Sequence, residues 1–428
     1  MPDPVLSPQH FGEALERAQG GPAMTKADPH KWEFKARFRR HAFGWKSQPA
    51  IQRVKEAVAE IKKVARKDTV LAADGAVAFI ERISPALEQV DSSSGAIGTA
   101  VNNAIAALVP LIAEAPADAK TRSAWLERLF DAHGEDQIPY IESLAEYWGE
   151  LCASKVVASE WADRLLGTTR MALSPDKNLR GHFHGTTACL SALQAAERHD
   201  DLLEVLRTES FWPYKRWAVK ALAAQGKKAE AIRLAEASRS PWASDWDIDR
   251  LCEEMLLSSG MVDEAYSRYG LSANRGGTYL ATFRAVAKKY PHRNACDILA
   301  DLVKTTPGDE GKWFAAAKEA GLFKEALTLA ERTPCDPKTL TRAARDHADD
   351  QPAFALGAGL LALYWLVQGY GYEITSADVW AAYSCTMKVA ERLGKTDVVR
   401  ADIRRMAAST QAGGNLVARI LGRELGLP

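Results

Sequence analysis

From Trp32 onward, apolar residues recur at intervals of three and four, the spacing that gathers them on one face of an α-helix. In "AIQRVKEAVAEIKKVA", Ile51, Val54, Val58, Ile61 and Ala65 form one stripe, and the opposite face is Lys and Glu. Similar spacing predicts helices over 74–90, 96–113, 123–131, 138–151 and 159–166, and no alternating series of the kind that builds a sheet separates them. The longest apolar run, Phe354 to Val367, falls short of the roughly 20 residues that cross a bilayer. With Asp350 ahead of it and Pro352 in its first turn, it predicts a helix buried on all sides.

The second half carries a repeat. Gly226, Glu230 and Ala231 share a Gly-x-x-x-Glu-Ala spacing with Gly260, Glu264 and Ala265, and with Gly321, Glu325 and Ala326. A further copy centred on Tyr290 keeps only Ala295, so the turns are 34, 30 and 31 residues apart. That period accommodates two short helices and their connections. The glycine closes a first helix in the left-handed conformation, the glutamate favours the positive end of a second, and the alanine lets the two approach closely. A helix pair cannot bury its apolar stripe alone, and repetition supplies neighbours. The fold class expected is all-α, a helical-repeat array of antiparallel helix pairs.

This turn resembles that of the tetratricopeptide repeat family over residues 211–340, with Pro307 in the place of a closing proline. The resemblance implies that first helices line a concave face. Counting six and ten residues back from the turns then gives a column with Arg216, Lys220, Arg250 and Arg284, a basic strip suited to an acidic or carboxylate-bearing segment. An ordinary solvated helix face is the competing reading. Residues 34–175, with "FKARFRRHAFGW", "DSSSGAIG" and "WLERLF", are similar to the helical region of uncharacterised bacterial proteins that sometimes carry a SWIM-type zinc finger. The Cys-x-Cys and Cys-x-His halves of that finger are missing here, so this likeness implies a helical scaffold without zinc. The chain divides into an arm at 1–30 with one short helix at 8–18, a helical domain at 31–175, repeats at 176–345 and a cap at 346–428. The Pro- and Gly-rich arm is expected to be mobile and dispensable for folding.

Lys plus Arg equals Asp plus Glu at 55 each, which excludes a globally basic nucleic-acid coat. Six scattered cysteines without a Cys-x-x-Cys pair predict core thiols, and the N-terminus lacks the pattern of a secretory signal, so a cytoplasmic location is expected. His182 and His184 are two apart with no nearby Glu or Cys to complete a ligand set, and no metal is expected there. Ser174 and Lys177 match a Ser-x-x-Lys spacing without its partner motifs. Gly357 and Gly359 match part of a dinucleotide fingerprint but follow no strand, which favours close helix packing. No cofactor is implied.

The segment 31–67 holds twelve Lys or Arg against three Glu, interleaved with Trp32, Phe34, Phe38, Phe43 and Trp45. Phe34 and Phe38 are four apart and read as an apolar helix face, with the cations on its solvated side and the acidic stretch 127–163 a counterpart within the fold. The leading expectation is a non-catalytic scaffold or adaptor that binds another protein. The alternative is a nucleic-acid-associated protein using Lys35, Arg37, Arg39, Arg40 and Lys46. An enzyme with a site in a helical cleft is a third class, since fold does not fix function.

Overall fold

Side chains at the helix starts set where each element begins. Asp68 accepts the backbone N–H of Leu71 at 2.9 Å and starts the helix Thr69–Leu87; Asp118 accepts that of Thr121 at 2.7 Å and starts Ala119–Gly134. Thr375 and Asp378 form a reciprocal capping box ahead of Ser376–Arg392. The computed structural model describes residues 30–176, 178–408 and 415–427, and among these every regular element is helical. The arm expected at 1–30, with its short helix, lies outside the described residues except for His30, as does Lys177 of the Ser-x-x-Lys spacing. The fold class is all-α, a helical array.

Chain contacts divide the molecule into two compact units, with the division at Gln225/Gly226. In the first unit, Lys155–Ala172 packs on Thr186–Ala195, and Arg198–Asp163 at 2.5 Å and Arg170–Glu204 at 3.1 Å tie residues on either side of 175. In the second, one apolar core runs from Tyr266 to Leu425 and bridges the expected cap boundary.

Within the first unit, Ser47–Ala65 buries Ala50, Ile51, Val54, Ala57 and Ile61. It packs against Thr69–Leu87 and against Ala96–Ala113, the one described helix long and apolar enough to cross a membrane. Seven residues of Ala96–Ala113, among them Ile97, Val101, Ile105 and Ile112, are buried in the unit. Arg122, only 6% exposed, closes that helix by donating to the carbonyls of Ile112, Ala113 and Ala115. The helix expected over 138–151 starts late, as a 3-10 turn at Glu142–Tyr147 that runs into Trp148–Leu151. Pro139 has no N–H to offer, and the Asp136 carboxylate captures the N–H of Ile141 at 2.7 Å.

The repeat turns share one geometry. Gly226, Gly260 and Gly321 have φ of +80°, +74° and +75°, and each following helix begins two residues on, at Lys228, Val262 and Phe323. The N–H of Gly260 bonds Leu257 O and that of Met261 bonds Leu256 O, while Gly321 and Leu322 bond Lys318 O and Ala317 O in the same way. Ala231, Ala265 and Ala326 are fully buried. Two further copies occur, at Gly394 (φ +65°) before Thr396–Ala408 and at Glu197 (φ +58°) before His199–Val205. The Tyr290 copy departs: its φ is −120°, and the next helix waits until Ala295. Pro291 follows it and cannot donate the second capping bond. Ala295 is therefore a first-turn residue, and Ile298, Leu299 and Leu302 fill the core.

Pro352–Val367 is buried on nearly all sides, with Tyr364 exposed and Trp365 donating to Ala330 O at 2.8 Å. Asp350 does not cap it but bonds His347. Gly357 and Gly359 serve close packing: a Cβ at Gly357 would lie 2.7 Å from Leu327 Cδ1, and one at Gly359 would overlap Thr386 Oγ1.

Candidate functional site

Two members of the expected basic column, Arg216 and Arg284, are held by carboxylates. Arg216 is 17% exposed, bonds Glu146 at 2.5 Å and donates to Pro213 O at 3.1 Å. Lys220 lies 4.5 Å from the centroid of the Trp217 ring. Arg284 grips Glu319 with both arms of its guanidinium, which holds the Glu319 carboxyl below its ordinary range. Arg250 stacks 5.0 Å over the Trp246 ring and reaches Asp247 at only 3.7 Å. Arg216 and Lys220 belong to the first unit, Arg250 and Arg284 to the second.

Around Arg250 the surface is unusual in its chemistry. Ser244 caps Asp245–Leu257 by accepting the N–H of Asp247, so Trp246 falls in the first turn and Arg250 one turn later on the same face. Trp246 is 44% exposed and Trp242, in the preceding loop, 90%. That loop is fixed at its ends: Arg239 holds Asp245 at 3.1 Å and Asp249, and Ala243 donates to Ser240 O at 3.0 Å. Tryptophan and arginine are the side chains that dominate binding energy at protein interfaces, and presenting them from a braced loop lowers the ordering cost of association. In sequence the signal was "SPWASDW", two tryptophans among polar residues.

The basic N-terminal segment separates into core and surface. Trp32, Phe34 and Phe38 are buried, the two phenylalanines 5.5 and 5.0 Å from the Phe79 ring, so the apolar-face reading holds for them. Trp45 is 72% exposed. Arg37 pairs with Glu33 at 3.0 Å and Glu56 at 3.2 Å, and Arg40 with Glu88 at 3.3 Å. Lys35, Arg39 and Lys46 are exposed and have no carboxylate partner among the described residues. Of the acidic stretch expected to face this segment, Glu127 pairs with Arg164 and Glu146 with Arg216.

Folding brings His133, which sequence spacing did not single out, beside His184, with ring centroids 6.0 Å apart. With His182, Asp136, Glu142 and Tyr214 they line a cavity of about 170 Å³. Burial, and then the neighbouring imidazole of His184, holds His133 below its ordinary pKa; burial and His182 do the same to His184. Among the described residues no three His, Cys, Asp or Glu side chains converge as metal ligands. No protein-family model matches the chain, and no curated protein is significantly similar to it.

Proposed function

We propose that the protein is a non-catalytic helical-repeat adaptor, built on a tetratricopeptide-like plan, that binds another protein segment in the cytoplasm. The observation that carries this reading is the display of Trp246 and Arg250 on a repeat helix of the second unit, with Trp242 in the braced loop before it. Arg250 is the member of the basic column suited to a carboxylate of the partner, because its nearest acid is 3.7 Å away and its guanidinium already lies over an aromatic face. Six free thiols, four of them buried, agree with a reducing compartment.

A photo-crosslinking residue placed at Trp242 in the full chain tests the reading in nuclease-treated native extract. A discrete protein adduct at 242 that is missing from the same probe at Val398, which is 64% exposed, is the expected result. The same adducts from both positions would refute it.

A further inference from the structure

We infer that the first unit binds single-stranded nucleic acid on the cationic outer face of Ser47–Ala65 and the segment before it. Residues 31–67 carry nine more cations than carboxylates in a chain whose overall charge is zero, so positive charge is segregated here and the remainder carries the opposite excess. The three glutamates of the segment are consumed inside it. Glu33 and Glu56 hold Arg37, Glu56 also holds Arg53 at 2.6 Å, and Glu60 accepts the backbone N–H groups of Glu33 at 2.7 Å and Phe34 at 3.2 Å. Acids on the adjoining helix Thr69–Leu87 and at its ends are taken as well: Asp68 caps it, Asp74 and Glu81 bind Arg128, and Glu88 binds Arg40 and His41.

What is left is a set of exposed cations that have no carboxylate partner among the described residues. Lys55, Lys62 and Arg66, seven and four apart, fall on one exposed line along the helix, to the side of its buried stripe of Ala50, Ile51, Val54, Ala57 and Ile61. That line is about 16 Å long at the rise of an α-helix. Lys63 lies beside it. The Glu60 bonds lay the 33–37 helix alongside, and Lys35 and Arg39 of that segment are exposed as well. Trp45 stands exposed next to Lys46, its carbonyl held by the N–H of Asp91 at 2.9 Å.

Phosphates match the cations, and a free indole face matches an unstacked base, which a duplex does not offer. A membrane fits less well, because the apolar side of Ser47–Ala65 is already buried and leaves no face to enter lipid.

The test is fluorescence anisotropy of the full-length protein with a labelled oligothymidylate of roughly 20 nucleotides. Affinity should fall with salt, with a log–log slope of about −3 for about four phosphate contacts. Lys62→Glu, Lys63→Glu, Arg66→Glu together should weaken binding more than about 10-fold, and Trp45→Ala about 10-fold, with melting temperatures unchanged. Lys324→Glu, Lys388→Glu, Lys395→Glu, exposed cations of the second unit, should have little effect. Should the first variant fail to fold, Lys35→Glu, Arg39→Glu carries the same expectation. No binding at about 50 mM salt, equal affinity in the reversed variant, equal or tighter binding of a duplex of the same length, or binding to phosphatidylserine vesicles without oligonucleotide binding would each overturn the inference.

Discussion

Glu253 shows how much a single side chain organises. It is fully buried in the second unit and accepts from Tyr290 Oη and Lys289 Nζ at 2.5 Å and from Asn274 Nδ2 at 2.6 Å. One carboxylate thus ties Asp245–Leu257 to Tyr279–Lys289 and to the loop between them. Glu253→Leu strands a lysine and a tyrosine and should cost about 3 kcal/mol, whereas Tyr290→Phe should cost about 1 kcal/mol in urea unfolding. The cysteines give a second test. Burial pushes the thiols of Cys152 and Cys335 up to about 12 and those of Cys189 and Cys252 up to about 11, while Cys296 is exposed. A thiol-reactive disulfide reagent at mildly alkaline pH should label Cys296 rapidly and reach those four only on unfolding. A third concerns pH. His133 and His184 bind protons more weakly folded than unfolded, so their contribution is complete above the ordinary value of 6.5 and is lost as pH falls from there toward the folded values. Thermal melts across that window should show the loss, and His133→Gln, His184→Gln should flatten it; an unchanged slope would refute the assignment.

At the scale of the element, the left-handed cap is the recurring device. No atom lies within 4 Å of a Cβ added at Gly260 or Gly321, so the cost of alanine there is purely backbone strain, about 1 to 2 kcal/mol. Glu197 already bears that strain at φ +58°, and Glu197→Gly should stabilise the first unit by about 0.5 to 1 kcal/mol. Differential unfolding of the two variants checks both signs. This asymmetry also explains what the sequence revealed. Glycine announces a left-handed cap, so the turns at 226, 260 and 321 were legible, but a glutamate in the same conformation announces nothing, and the 197 turn went unseen. Gly394 was missed for another reason: Val398 and Val399 follow it where the motif has Glu and Ala. At Tyr290 the spacing marked a helix pair, Tyr279–Lys289 and Ala295–Lys304, whose connection lacks the second capping bond because Pro291 has no N–H.

At the scale of the whole molecule, helical periodicity fixes the class of fold, while the unit boundary depends on long-range contacts that periodicity does not encode. Arg170–Glu204 and Arg198–Asp163 are contacts of that kind within the first unit. The same holds for surfaces. Residue type marked Arg216 and Arg284 as available cations, yet Glu146 and Glu319, 70 and 35 residues away in sequence, occupy them. Exposed Trp242 and Trp246 were visible only as apolar letters in a polar loop. The central claim, that this array works by binding a protein through that loop, is tested most directly by quantitative affinity purification from nuclease-treated extract. The full-length protein is compared with a folded Trp242→Ala, Trp246→Ala, Arg250→Ala variant. Each truncated anchor of this kind costs upward of about 2 kcal/mol, so at least one protein retained by the wild type should be depleted more than about 10-fold by the variant. Identical protein recovery from both would contradict the claim.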